Sequence, residues 1–184
     1  MKRKHFILFF ISVLSFSYVN APSLLFTASS GTITFTSDAP LELIKASSDQ
    51  LKGWLNPETK QFSFTISIKT FKGFRLYTQR RNFNETYLES DKYPQASFAG
   101  KIIEDIDLHT DGFYNIRAKG NLLIHGVEQE RIIKCSFTIK NGLVNIKANF
   151  IVRLADHNIT IPKILDHKLA SDIKVEVKTD LIEK

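Results

Sequence analysis

Histidine, cysteine and closely spaced carboxylates are the side chains of this sequence that could carry chemistry. Five histidines occur, His5, His109, His125, His157 and His167. None pairs with another at the i, i+4 spacing of a helical zinc site, or as an H-x-H pair on one strand face. We therefore expect surface or hydrogen-bonded histidines, and we predict neither a metal site nor a cofactor.

His125 differs from the other histidines because it ends a predicted strand and precedes Gly126, where the chain is expected to bend. In one interpretation, hydrogen bonds of the imidazole fix this bend. In the other, the ring points to a cavity or its mouth, where it could act as a general base. The sequence supplies it with no nucleophile and contains no G-x-S-x-G, P-loop or dinucleotide-binding motif.

The remaining reactive side chains give weaker signals. Cys135, the single cysteine, lies between Ile133 and Phe137 on an apolar strand face, where a thiol usually acts as a small buried hydrophobe. One cysteine excludes an internal disulfide and a zinc site made of four cysteines. Asp105 and Asp107 share a predicted strand face, but two carboxylates alone more often mark a solvated edge. We therefore predict no catalytic residue.

The N-terminal segment is typical of a secretory signal peptide. A short basic run, residues 1–4, precedes nine apolar residues from Phe6 to Leu14, and a smaller, more polar stretch ends at Ala21. Nine apolar residues are too few to span a bilayer, which takes about 20; a retained anchor is the alternative. We expect a signal peptide over residues 1–21, a domain over 22–184 with no membrane span, and a periplasmic or secreted location.

Half of the net charge of the 184-residue chain lies in that signal. The formal net charge is +6 and invites nucleic acid as a partner. Without residues 1–21 the chain has 22 basic and 19 acidic side chains, a net of +3, so nucleic acid is not predicted. One basic cluster remains around the aromatic stretch 71–77. It is either a solvated loop or a cationic rim that binds an anionic group, and it comprises Lys69, Lys72, Arg75, Arg80 and Arg81.

Strands with period-2 alternation fill most of the mature chain and must position these side chains. We count eight or nine, including strands over 41–47, 51–55 and 98–106. Asn141-Gly142 between two of them predicts a two-residue hairpin turn, because both positions need positive φ. Closing such a meander removes its edge strands. The predicted fold class is therefore all-β, an antiparallel barrel of eight to nine strands.

Two segments interrupt the alternation. Residues 82–90 predict a short helix, with Asn82 as its cap and Glu85 three residues later. Residues 156–167, which contain Pro162, predict a crossover or lid with about one helical turn. No linker divides the chain, so we expect one domain.

Two stretches of the sequence resemble a known family. One is Phe83-Asn-Glu-Thr-Tyr-Leu-Glu-Ser-Asp-Lys-Tyr-Pro94, followed by Ala96-Ser-Phe98. The other is Gly120-Asn-Leu-Leu-Ile-His-Gly-Val127. Both are similar to stretches of the YceI-like family of secreted polyisoprenoid-binding proteins, and the resemblance covers residues 29–180. It implies an extended lipocalin-like barrel with an apolar tunnel that takes an isoprenoid or another long-chain lipid.

The resemblance and the alternation together suggest the residues of a binding site. An eight-stranded barrel is about the size at which the interior either fills with side chains or holds one small ligand. Arg75, Arg80, Arg81 and His125 are the candidates for a polar rim. The candidates for the apolar interior are Phe64, Ile66, Ile68, Ile116, Leu122, Ile146 and Phe150.

The leading hypothesis is therefore a non-enzymatic lipid carrier. Two alternatives remain open: an enzyme of lipid metabolism that uses His125 as a base, and a small outer-membrane barrel. A membrane barrel needs apolar outward faces, whereas the outward faces here carry Lys, Arg, Asn and Thr. The sequence does not fix the oligomeric state, and a homodimer is left open.

Overall fold

The computed structural model describes residues 24–184; the predicted signal peptide, residues 1–21, lies outside the described residues. More than half of the described chain is antiparallel sheet. Its strands are β1 (Phe26–Asp38), β2 (Leu43–Ser48), β3 (Lys52–Leu55), β4 (Gln61–Ser67), β5 (Gln95–Ile102), β6 (Gly112–Ile124), β7 (Val127–Lys140), β8 (Leu143–Arg153) and β9 (Asp172–Glu183).

Pairing of the first strand with the last closes the sheet into a barrel. β1 runs antiparallel to β9, from Phe26 opposite Glu183 to Thr36 opposite Lys174. The closed ring has eight strands in the order β1-β3-β4-β5-β6-β7-β8-β9, and β2 pairs with β1 as an additional strand. The predicted fold class, an antiparallel barrel of eight to nine strands with one short helix, is confirmed.

Alternation of side chains separates the inside of the barrel from the outside. In β6, Ile116, Ala118 and Leu122 are buried, whereas Arg117 and Lys119 between them are exposed. Successive residues of a strand point to opposite faces, so one face of each strand turns inward as the sheet curves. The outward faces place charged side chains where a lipid-facing barrel would need apolar ones.

Two hairpins are joined by two-residue turns with positive φ. Asn141 (φ 52°) and Gly142 (φ 76°) connect β7 to β8, as predicted. His125 (φ 52°) and Gly126 (φ 73°) connect β6 to β7 in the same way, so this site is a tight turn and not the predicted bend within a strand.

The helix begins earlier than the sequence predicts. α1 covers Tyr77–Asn82 and continues as one π-helical turn, Phe83–Tyr87. Asn82 is therefore the last residue of α1 and not its cap. The side-chain oxygen of Gln79, the third helical residue, accepts hydrogen bonds from the backbone N–H groups of Arg75 (3.0 Å) and of the N-cap residue Leu76 (3.2 Å), as the third residue of a capping box does.

β5 ends at Ile102, four residues before the predicted end. The Glu104 carboxylate accepts a hydrogen bond from the backbone N–H of Arg117 (2.6 Å), in place of a carbonyl of the ladder. This bond lowers the pKa of Glu104. Asp105 and Asp107 consequently lie in the loop after β5 and share no strand face. The strands predicted over 41–47 and 51–55 begin at Leu43 and Lys52 instead.

The two ends of the barrel differ. The helix end carries the β1–β2 turn, residues 68–94, the His125-Gly126 turn and residues 154–171. Residues 154–171 contain two 3-10 turns, Leu154–His157 and Lys163–Leu165, where one helical turn was predicted. The opposite end, the hairpin end, carries residues 56–60, 103–111 and the Asn141-Gly142 turn. Buried side chains fill the interior there, including Phe26, Leu55, Leu108 and Leu181, none more than 1% exposed.

The backbones of β5 and β6 approach closely at two glycines that face each other, Gly100 and Gly120. A Cβ on Gly100 would lie 2.1 Å from the Lys119 carbonyl oxygen and 2.5 Å from the Gly120 Cα. Both of these are backbone atoms, which a rotamer change cannot move. Glycine is therefore required for this pair of strands to stay in register.

We expect Gly100→Ala to lower the free energy of unfolding by about 1–3 kcal/mol, because the strands must separate to admit the methyl group. Urea unfolding followed by circular dichroism measures this loss. Ala99→Ser, an exposed position of the same strand, is the matched control and should change stability by no more than about 0.5 kcal/mol. Equal stability of Gly100→Ala and the control would show that the strands adapt to the methyl group.

Candidate binding cavity

The barrel interior contains two adjoining apolar cavities. The inner chamber, of about 120 Å³, extends toward the filled hairpin end and is lined by residues such as Leu55, Phe62 and Phe137. The outer chamber, of about 160 Å³, lies toward the helix end. Both chambers are lined by Ile33, Ile66, Ala96, Leu122 and Phe150, so they meet at these residues.

Polar groups are sparse in both linings. Thr65, Ser97 and Thr179 line the inner chamber, and the Thr179 hydroxyl donates a hydrogen bond to the Ser30 carbonyl (2.6 Å). Ser37 in the outer chamber accepts a hydrogen bond from the backbone N–H of Ala170 (2.9 Å). Because Thr179 and Ser37 already bond to the protein, the chambers suit a hydrocarbon chain better than a polar ligand.

The seven residues predicted for the apolar interior all line these chambers. Ile68 lines the outer chamber and the other six line the inner one; three of those six, Ile66, Leu122 and Phe150, line both. Phe64, Ile116 and Ile146 complete the set. Strand alternation is enough to find them, because each occupies an inward position of a strand or the turn that follows it.

Residues outside the barrel strands close the outer chamber, and sequence reasoning missed them. Phe71, Phe83, Tyr87, Leu88 and Leu169 line the chamber from the segments at the helix end. Phe83 stacks on Phe35 of β1, with ring centroids 5.1 Å apart and planes inclined by 12°. The sequence signal was the aromatic-rich stretch 71–77 and the Phe83–Tyr87 spacing, but neither showed that the segment folds back over the barrel.

His125 lies beside the cavity without lining it. Its side chain is 12% exposed. Nε2 lies 2.6 Å from a carboxylate oxygen of Glu89, and Nδ1 lies 3.1 Å from the carbonyl oxygen of His157. Both ring nitrogens are therefore engaged, and the interpretation in which hydrogen bonds fix the chain at His125 describes its geometry. Of the two interpretations, the ring directed into the cavity does not describe this geometry, because the tight turn directs the ring toward Glu89.

The two sequence stretches that carry the family resemblance contact each other at this point. The Tyr93 ring packs edge-on against the His125 ring, with centroids 4.7 Å apart. A Cβ on Gly126 would lie 2.4 Å from the Tyr93 ring. The His125-Glu89 pair and the Tyr93-Gly126 contact together hold residues 83–94 against the β6–β7 turn.

The predicted basic rim lies at the helix end, outside the chambers. Arg75, Arg80 and Arg81 are exposed, and within residues 24–184 their side chains form no ion pair. Lys69 in the same cluster pairs with Asp91 at 2.5 Å. The three arginines are carried by α1 and the residue two positions before it.

The remaining reactive side chains are held in structural contacts. Burial raises the pKa of the Cys135 thiol to about 12. The thiol lines the inner chamber and stays protonated at neutral pH, which makes it a poor nucleophile. His109 bridges Asp107 (3.2 Å) and Glu183 (3.1 Å) at the hairpin end, and His167 lies 3.4 Å from Asp166.

His157 is fully buried, and we expect its titration to make stability depend on pH. Its Nδ1 lies 3.1 Å from the Val127 carbonyl oxygen, and within the described chain its Nε2 has no hydrogen-bond partner. Burial is the main cause that lowers the pKa of His157 from the usual 6.5. Just below pH 6.5 the unfolded chain therefore binds more protons at this site than the folded chain.

We expect stability to fall as the pH decreases through 6.5 toward the lowered pKa, and His157→Asn to reduce this slope. The asparagine amide keeps an N–H donor for the Val127 carbonyl oxygen, and it does not titrate. His109 contributes to the pH dependence of stability with the opposite sign. Its bonds to Glu183 and Asp107 raise its pKa, so they stabilise the folded state at low pH. Urea unfolding across this pH range measures the slope. The exposed His167→Asn is the control, and an unchanged slope in His157→Asn would refute the assignment.

Comparison with solved structures supports the fold at low sequence identity. A polyisoprenoid-binding domain from Saccharophagus degradans, implicated in plant cell wall breakdown, superposes with a TM-score of 0.74 at 12% identity. The match covers 88% of this chain and 99% of that one. BcnA from Burkholderia cenocepacia gives a TM-score of 0.66 at 13% identity, over 82% of this chain and 95% of that one.

A YceI protein from Campylobacter jejuni matches over 100% of this chain and 99% of its own, with a TM-score of 0.56 and 16% identity. No curated protein matches the sequence. Within residues 24–184, helices are all too short or too polar to cross a membrane. The model of the YceI-like domain matches residues 12–181, nearly the whole chain, and the protein therefore belongs to the YceI-like family.

Proposed function

We propose that this protein is a non-catalytic carrier that encloses the apolar chain of an isoprenoid or similar lipid in the two chambers. The observation that supports this most directly is that the two chambers adjoin and share the lining residues Ile33, Ile66, Ala96, Leu122 and Phe150. A long, narrow apolar space suits an extended hydrocarbon chain. Burying a methylene group contributes about 0.8 kcal/mol, so a prenyl chain binds tightly with few polar contacts.

An isoprenoid is the first candidate ligand because a structurally similar protein is described as a polyisoprenoid-binding domain. The chamber lining adds a physical reason. Branched and aromatic side chains, among them Ile33, Ile66 and Phe150, line both chambers and offer an isoprenoid chain apolar contacts. The proposed apolar contacts are the seven residues Phe64, Ile66, Ile68, Ile116, Leu122, Ile146 and Phe150.

The arginines at the helix end complete the proposed site as a polar rim. Arg75, Arg80 and Arg81 are free to pair with the phosphate or carboxylate of a ligand whose chain enters beneath α1. His125 has a supporting part in this proposal, since its bonds to Glu89 and to the His157 carbonyl hold the wall next to the entrance. No residue is assigned a chemical step.

The location follows from the N-terminal sequence. We propose that residues 1–21 direct export and are removed, and that the domain of residues 22–184 works in the periplasm or outside the cell. N-terminal sequencing of the protein recovered from the cell envelope and the medium of its host tests this. An intact N-terminus on all recovered protein would leave a retained anchor as the better interpretation.

We expect Ala96→Phe to reduce lipid binding by about 2 kcal/mol, roughly thirtyfold in Kd, because the new ring fills the junction of the chambers. Ala99→Phe places the same ring on the exposed face of the same strand and is the matched control. Native mass spectrometry of protein from its own host, followed by titration of the delipidated protein with farnesol, measures occupancy and affinity. Absence of co-purified lipid together with no uptake of prenyl compounds would refute the carrier function.

The proposed role of the arginine rim can be tested separately from the chambers. We expect Arg75→Gln/Arg80→Gln/Arg81→Gln to weaken binding of farnesyl diphosphate by about three- to tenfold, as exposed ion pairs do. Binding of uncharged farnesol should stay unchanged, and this comparison is the internal control. Equal loss for both ligands would show that the substitutions perturb the chambers, and no loss for either would remove the arginines from the site.

A further inference from the structure

The helix end of the barrel exposes five large apolar side chains. They are between 53% and 84% exposed. Leu41 and Leu43 belong to the β1–β2 turn and the start of β2, Leu76 and Tyr77 to the start of α1, and Ile164 to the 3-10 turn Lys163–Leu165. None of them lines a chamber. We call these five residues the apolar face.

Hydrogen bonds join the three segments that carry the apolar face. The Gln79 side chain of α1 donates to the Glu42 carboxylate in the β1–β2 turn at 2.5 Å. The backbone N–H of Leu41 donates to the carbonyl oxygen of His167, three residues after Ile164, at 2.8 Å. The three segments that carry the five side chains therefore lie next to one another at the helix end.

Cations without ion-pair partners surround this face. Arg75, Arg80, Arg81, Lys163 and Lys168 form no ion pair within residues 24–184. Two nearby acids have cationic partners, Lys174 for Asp38 and Lys69 for Asp91. Glu42, Glu89 and Asp166 bond to Gln79, His125 and His167, and Glu85 is exposed. Residues 68–82, which carry Leu76 and Tyr77, contain five basic and no acidic side chains, so the charge beside these two residues is positive.

We propose that the helix end docks on an anionic phospholipid bilayer, with the apolar face inserted among the head groups. Exposed leucine, isoleucine and tyrosine next to arginine and lysine are what an interfacial contact requires. The cations attract anionic head groups while the apolar side chains lose contact with water. The outer chamber lies directly beneath, closed by Phe71 and Leu169 from the same segments, so docking would place the proposed entrance at the bilayer surface.

This inference goes beyond the proposed carrier function, because it concerns an outer surface and not the chambers. The test uses the protein as its host produces and processes it. All variants are prepared in the same way. Binding is measured by flotation with vesicles of phosphatidylcholine containing about 30% phosphatidylglycerol, and with vesicles of phosphatidylcholine alone, at about 50 and 500 mM NaCl.

We expect binding to the anionic vesicles at low salt and at least about tenfold weaker binding at high salt or to phosphatidylcholine alone. Leu76→Ser/Tyr77→Ser/Ile164→Ser should weaken binding by about tenfold or more. The matched control changes three exposed apolar residues of the hairpin end, Ile103→Ser/Phe113→Ser/Leu143→Ser, and should bind like the unmodified protein. Ala96→Phe should also bind vesicles normally, which separates docking from occupancy of the chambers.

Three results would overturn the proposal. Equal binding to charged and uncharged vesicles would refute the role of the cations, and equal loss in both triple variants would refute the choice of surface. No vesicle binding, together with a dimer in sedimentation velocity that only the helix-end variant dissociates, would assign the apolar face to a second copy of the chain. Urea unfolding of each variant verifies that it is folded.

Discussion

The pairing of β1 with β9 is the interaction on which the rest of the molecule depends. It turns a row of hairpins into a ring and removes the edges that an open sheet would leave unpaired. Once the ring is closed, the apolar face of every strand points to one interior, and eight strands enclose slightly more space than the inward side chains need. At the hairpin end Phe26, Leu108 and Leu181 fill that space. Toward the helix end the side chains leave the two chambers.

The helix end is closed in a different way from the rest of the barrel. β2 pairs with β1 but not with β4, so the ladder stops on one side of β2. The segment after β4 occupies this region. The backbones of Ser47 and Lys72 exchange two hydrogen bonds of 2.8 Å, and Phe71 and Phe83 pack with Ala46 and Ile66. Contacts of this kind can open without breaking the ladder, which is why we propose the ligand entrance at the helix end.

Local patterns in the sequence were sufficient to predict the structure wherever residues close in sequence determine the backbone geometry. Alternation predicted the inward positions, and Asn141-Gly142 predicted the β7–β8 turn. Each of these features depends on only one or two residues at a time. The errors arose where a side-chain hydrogen bond set the backbone geometry. Glu104 ends β5 by bonding to Arg117, Gln79 sets the start of α1, and Glu89 draws His125 away from the chambers. Such partners lie 13 to 36 residues apart in two of these cases, and no periodicity records them.

The sparse polarity of the chambers determines where selectivity must arise. Burial of hydrocarbon has no preferred direction, so the chambers discriminate ligands by length, thickness and branching and are insensitive to the chemistry of a distant head group. In the proposed carrier, a head group at the helix end would meet the exposed side chains of Arg75, Arg80 and Arg81. A change at Ala96 and a change at Arg80 therefore act on separate parts of the binding free energy, and their effects should add. Coupling between them would mean that the segment carrying α1 moves when the chambers are occupied.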